Sequence, residues 1–448
     1  MRNIIFKSLA LGLVMLSLTG CDYFNFDDPQ PINSLPPDLA ITNRQSAEAA
    51  VAGVYDKLQG DADALTFDGY LSMWQLFSDE AVFDGTFPTR LEFGNFNVFP
   101  ANTTMASAFT EFYAGINVAN GIIETIPKVE NTDMDVAGLR ETFIGEARFA
   151  RAYWYLHLTL GWREVPLITT PTVGVGEELN VPTSTQSAIY DQIIEDLEYA
   201  AANINPSFSL GITPDAANAL LARVALYQGR WQDAYNLATG VLGAGFDLTT
   251  YAYLSDDIFS IEFSPTDGNA LAFYYGTAEL NGRHSVVPSQ TLIDMFDDSD
   301  VRKDATFGYD GLNIVYGNKY SNFSAAAGTQ SDPLRVIRYG EVVLIAAEAA
   351  ARLNDFVNAN LWFGQVRARA GVAPIVLAPA NFEDAILDER MRELALESGH
   401  RLWDLRRTGK ALDVLGPLGY DDCDDVWGLP RREIDRNPNL VQNDCCNC

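Results

Sequence analysis

The sequence is poor in the residues that usually carry chemistry. It holds three histidines, five cysteines, and 30 lysines and arginines against 60 aspartates and glutamates. His157, His284 and His400 stand far apart, and none lies in an HExxH or similar spacing, so a zinc hydrolase has no support. There is no GxSxG elbow, no phosphate-binding loop and no GxGxxG opening a helix after a strand. A formal charge of −30 excludes a protein that tracks nucleic-acid phosphates and argues against one held on anionic lipid by charge. Carboxylates are too numerous for any pair to stand out as a glycosidase acid and base, which only spatial separation would reveal.

Long apolar runs are equally scarce. The clearest, Ser8 to Leu18, follows Arg2 and Lys7 and closes on Leu18-Thr19-Gly20-Cys21. A basic start, an apolar core and small residues describe a secretory signal. The run falls short of the roughly 20 apolar residues that a membrane span needs. Cys21 directly after Thr-Gly resembles a bacterial lipobox, which implies cleavage before Cys21 and acylation of its thiol and new amine. Residues 1–20 are then a signal peptide, and residues 21–40, rich in Asp, Asn and Pro, a lipidated tether. The other cysteines, Cys423, Cys445, Cys446 and Cys448, crowd the far end. Disulfides are the default in an oxidising compartment. A metal site is the alternative, without a nearby histidine or a common zinc spacing.

Hydrophobic residues make up 48% of the chain and aromatics 11%, so it folds. Helical periodicity predicts helices over 46–58, 68–78, 105–128, 137–160 and 183–203. Thr213-Pro214-Asp215 then caps a helix that Gly229 closes, and a second helix runs from Trp231 to Leu242. A similar pair spans 336–371, with Asn354-Asp355 at the turn and small residues along the facing seam. Two such pairs point to tetratricopeptide-like repeats. Residues 79–104 read as a long loop. Residues 244–335 read as an insertion, with short strands expected at 259–263 and 271–275. Both stretches mix aromatics with Asp, Asn and Arg, as a carbohydrate site requires: rings for the apolar sugar face, polar groups for the hydroxyls.

The chain's densest charge pattern lies at 386–407. Leu387, Met391 and Leu394 share a face, and Arg390, Glu393, Glu397 and Arg401 form a stripe of alternating sign beside it. Gly399 ends the helix. The pattern fits either a solvated surface stripe or a buried ionic seam.

These segments, in order, resemble the SusD/RagB family of nutrient-binding outer-membrane lipoproteins. Gly145-Glu146-Ala147-Arg148-Phe149-Ala150-Arg151-Ala152 is similar to its GEARFLRA motif, and Arg338-Tyr339-Gly340-Glu341-Val342 to its RYAEV motif. Val366-Arg367-Ala368-Arg369-Ala370-Gly371 matches VRARAG. The stretch from Glu389 to Arg407 matches ERRxELxxEGxRxxDLxR, and Leu429-Pro430 to Gln442-Asn443 matches the closing LP…EI…NP…QN. The resemblance implies a mainly α fold: a right-handed superhelix of tetratricopeptide-like helix pairs, with long loops and a few short strands forming the ligand face. The domain would span 41–444, with a cysteine-rich tail at 445–448. It implies a binding protein, not an enzyme, without cofactor or metal. Anchored in the outer membrane and facing outward, it would pass an oligosaccharide or peptide to a SusC-like TonB-dependent transporter. The alternatives are a helical-toroid glycoside hydrolase or lyase, and a repeat scaffold that binds only protein. By position relative to the family's loops, the ligand candidates are Trp74, Asp79, Arg90, Asn95, Phe96, Tyr274, Tyr275 and Tyr320. The closing segment departs from the family in its cysteines, and a disulfide from Cys423 to one of the last three is expected.

Overall fold

The computed structural model describes residues 37–60, 66–172, 179–243 and 256–445. The signal peptide, Cys21, most of the tether, Cys446 and Cys448 lie outside the described residues. Two units are separate: Met1–Ala40, of which one helical turn at Pro37–Ala40 is described, and Ile41–Cys448.

The second unit is mainly helical. In chain order the principal elements are α1 (Arg44–Gln59), α2 (Thr66–Leu76), β1 (Ala81–Phe83), α3 (Pro88–Gly94), α4 (Thr103–Thr125), α5 (Leu139–Trp162), α6 (Gln186–Asn203), α7 (Pro214–Tyr227) and α8 (Trp231–Leu242). There follow β2 (Asp257–Ile261), α9 (Leu271–Tyr275), β3 (Val286–Pro288), β4 (Phe307–Tyr309), β5 (Val315–Gly317), β6 (Leu334–Arg338), α10 (Tyr339–Arg352), α11 (Phe356–Ala370), α12 (Phe382–Leu394) and α13 (His400–Arg407). Helices α4 to α8, then α10 and α11, each pack on the next, so contacts run between neighbours as in repeat proteins. Capping follows the sequence: Thr213 accepts from the Ala216 N–H with Pro214 at the first turn, and Asp355 accepts from the Asn358 N–H.

The strands form three two-stranded antiparallel pairs, β1–β3, β2–β6 and β4–β5, and no closed sheet. Two expectations need correction. The segment 271–275 is a short helix: the Tyr274 N–H bonds to the Ala270 carbonyl, and alternate faces are not exposed. The stretch 79–104 is not all loop, since Pro88 starts a two-turn helix there.

The charged stripe is an interior seam. Arg390 and Glu393 have no exposed surface, and Glu397 and Arg401 retain 3% and 8%. Glu393 meets Arg302 at 3.1 Å, Arg338 at 3.1 Å and the Arg369 guanidinium. Glu397 bonds Arg338 and Lys319, and Arg390 bonds Asp404 at 2.6 Å. Burial alone would raise the Glu393 carboxyl, but Arg369, Arg338 and Arg302 overcome it and hold the group well below the usual range. Gly340 is required where α10 crosses α12, because a Cβ there would run into the Glu393 carboxylate.

Candidate ligand face

The first strand pair places two aromatic-rich loops side by side. Val82 pairs with Val287 and Phe83 with Val286, and the Asp84 N–H extends the ladder to the Ser285 carbonyl at 3.1 Å. The chain then passes Gly85, where the Phe83 ring occupies the space a Cβ would need. Phe87 follows, just before Pro88 opens α3. Across the pair, Arg283 lays its guanidinium over the Phe87 ring at 4.0 Å. Arg283 is exposed and Phe87 half-buried, so this stacked cation keeps donors open to solvent.

His284 ties this pair to the next hairpin. Its backbone is left-handed, with φ 54°. One ring nitrogen, Nε2, lies 2.7 Å from the Val315 carbonyl, which makes it the N–H donor, and Nδ1 lies 3.9 Å from the Asp84 carboxylate. The β4–β5 hairpin adds exposed Tyr309 and half-buried Tyr316. Its turn is built on Asp310, which accepts the Leu312 and Ile314 N–H groups. Those bonds, led by Ile314, hold the Asp310 carboxyl below its usual range. Glu279 accepts the Gly311 N–H at 2.7 Å and fixes the same turn from the side. The result is an open face with rings, one stacked arginine and several carboxylates. Such a face offers stacking surfaces and hydrogen-bond partners to a polyhydroxylated ligand. Among the described residues no group of three His, Cys, Asp or Glu side chains could hold a metal ion.

The candidates named from sequence fall behind this face. Trp74 is fully buried and stacks on Trp427 at 4.2 Å. Asp79 is buried and forms a two-point ion pair with Arg401, both contacts 2.8 Å. Arg90 lies buried over the Tyr274 ring at 4.0 Å. Phe96 packs against Phe77 and Tyr420. Buried Tyr275 donates to Gln75 and lies beside buried Tyr320. Their apolar and ionic contacts within the protein leave no face for a ligand in this conformation. Asn95, at the end of α3, is the one candidate at the surface. The candidates come from the same two stretches as this face, but its surface members, Phe87, Arg283 and Tyr309, are not among them. The available signal was position: they sit at strand ends and turn tips, beside glycine or proline, where the chain turns outward.

The fold and face together define a helical-repeat protein that mounts a loop-built aromatic surface on a rigid scaffold. A model described as the SusD family matches residues 313–421, and one described as starch-binding and associating with the outer membrane matches residues 77–226. The chain belongs to the SusD/RagB family. A SusD-like protein of Formosa agariphila is 25% identical, over 98% of this chain and 99% of its own. Among solved structures, a SusD superfamily protein from Bacteroides vulgatus superposes with a TM-score of 0.78 at 21% identity, covering 89% of this chain and 98% of that one. A laminarin-binding SusD-like protein gives 0.76 at 25% identity, over 90% and 100%. The surface glycan-binding protein A from Bacteroides thetaiotaomicron, in complex with laminarihexaose, gives 0.76 at 20%, over 90% and 100%.

Proposed function

We propose that this chain captures an oligosaccharide on the face built by β1, β3 and the β4–β5 hairpin. The observation that carries the reading is the exposed Arg283 guanidinium stacked at 4.0 Å on Phe87. A sugar ring can lie against the aromatic edges while Arg283, Asp84 and Asn95 take its hydroxyls. Similar proteins that bind laminarin and laminarihexaose support the ligand class. The protein acts by binding and release, without bond cleavage. It delivers the glycan to a SusC-like TonB-dependent transporter and is held at the outer membrane by a lipid on Cys21. No helix among the described residues is long and apolar enough to cross a membrane.

The test is a titration of the soluble chain, from Asp22 onward, with an oligosaccharide panel that includes laminarihexaose. Saturable binding without release of new reducing ends is the expected result. Reducing ends that accumulate with time would overturn the non-catalytic reading. Gentle detergent extraction of the lipidated protein should bring an outer-membrane barrel with it, and extraction without one would remove the transporter from the account.

A further inference from the structure

Arg163, just past the end of α5, has φ 61° and ψ −66°. The Glu164 N–H bonds back to the Trp162 carbonyl at 2.7 Å. This is the γ-turn of the rare, strained hand, disfavoured for any residue with a Cβ. The turn is pinned from Thr159, whose carbonyl accepts the Arg163 N–H at 3.0 Å and whose hydroxyl donates to the Arg163 carbonyl at 2.8 Å. Strain held this firmly at a non-glycine residue points to a use for the side chain.

That side chain borders a cavity of about 450 Å³ between the ends of α5 and α7, the start of α6, and α13. Small-molecule sites span roughly 300–1,000 Å³. The walls include the rings of Tyr190 and Trp403 and the polar groups of Gln186, Gln228 and Asp425. Two other arginines border it, and both are engaged. Arg407 is held by Glu348 and Asp404. Arg406 donates to the Leu160 and Asp424 carbonyls and to the Tyr420 hydroxyl. Arg163 is exposed, and among the described residues no carboxylate pairs with it. None of the residues of the β1–β3 and β4–β5 face lines this cavity.

We propose that the cavity is a second binding site, independent of the face above, for a small acidic saccharide of one or two rings. Arg163 receives the carboxylate as a charge-assisted pair. The ring lies over Tyr190 at the cavity wall, with buried Trp403 only closing the cavity floor, and Gln186, Gln228 and Asp425 take the hydroxyls. Saturation-transfer NMR of the soluble chain with D-glucuronate tests this, with glucose and acetate as controls, in the natural protein and in Arg163→Gly. Glucuronate should saturate the protein and bind at least tenfold more tightly than glucose or acetate. In Arg163→Gly that binding should be lost while the melting temperature stays the same or rises, because glycine relieves the turn. Three results would overturn the site: no saturation by glucuronate, equal binding by the variant, or acetate binding as well as glucuronate. A lower melting temperature in Arg163→Gly would also count against it, since Arg163 would then serve the scaffold.

Discussion

Glu393 receives three guanidinium groups in a space closed to water, so its removal leaves three buried cations short of charge. Truncating one partner of a buried network costs about 3–5 kcal/mol. Glu393→Ala should therefore lower unfolding stability by at least about 3 kcal/mol in denaturant titration, and an unchanged midpoint would mean the seam contributes nothing net. Glu80 gives the opposite sign. It is buried beside the Asp79–Arg401 pair, and burial, with help from the Asp79 charge, raises its carboxyl well above the usual range. A carboxyl whose folded pKa is raised loses stability as pH climbs above the unfolded value, near 4.3. Glu80→Gln does not titrate, so it should be more stable than the natural protein at pH 7, with the difference shrinking toward pH 4 in thermal melts. At this scale the sequence was half legible. The spacing of Arg390, Glu393, Glu397 and Arg401 marks a stripe but leaves a solvated and a buried reading open, and burial decides for the seam. Its partners Arg302, Arg338, Arg369 and Lys319 come from distant segments that no local pattern connects to it.

Elements with long, periodic apolar faces were readable because one face of each is buried. Helix α8 runs from Trp231 to Leu242, as its periodicity and flanking Gly229 and Gly243 require. Short elements were not. Five residues such as Leu271–Tyr275 cannot display a period, and their aromatic content fits a strand as well as a helix turn. The closing segment was legible as a motif, but its role is tertiary. Asn443 bonds the Trp162 and Trp427 carbonyls, Gln442 bonds both backbone groups of Leu429, and Trp162 Nε1 donates to the Gly428 carbonyl. This laces the C-terminal segment to the end of α5. Cys423 and Cys445 close it with a disulfide, as expected for Cys423 and one of the last three cysteines. Their separation of 22 residues sets a loop-closure effect of about 3 kcal/mol. Reduction, or Cys423→Ser, should lower the melting temperature by several degrees and loosen hydrogen-exchange protection first at 423–445. Uniform loss of protection across the helices would place the bond's effect elsewhere.

The molecule as a whole separates two tasks. The helical array and its ionic seam supply stiffness, with nearly every buried charge paired within the protein. The β1–β3 and β4–β5 pairs, inserted between repeats, carry exposed rings and open donors. The strong sequence motifs belong to the first task, because packing constrains residue type. Face residues obey no packing rule, and the aromatics most conspicuous in sequence proved to be those the core uses. The central claim is tested most directly by calorimetry of an oligosaccharide panel against the soluble chain and its Phe87→Ala/Arg283→Ala variant. The account predicts saturable binding to at least one oligosaccharide, weakened tenfold or more in the variant at an unchanged melting temperature. Undiminished binding by the variant, or no binding to any oligosaccharide by the natural protein, would contradict it.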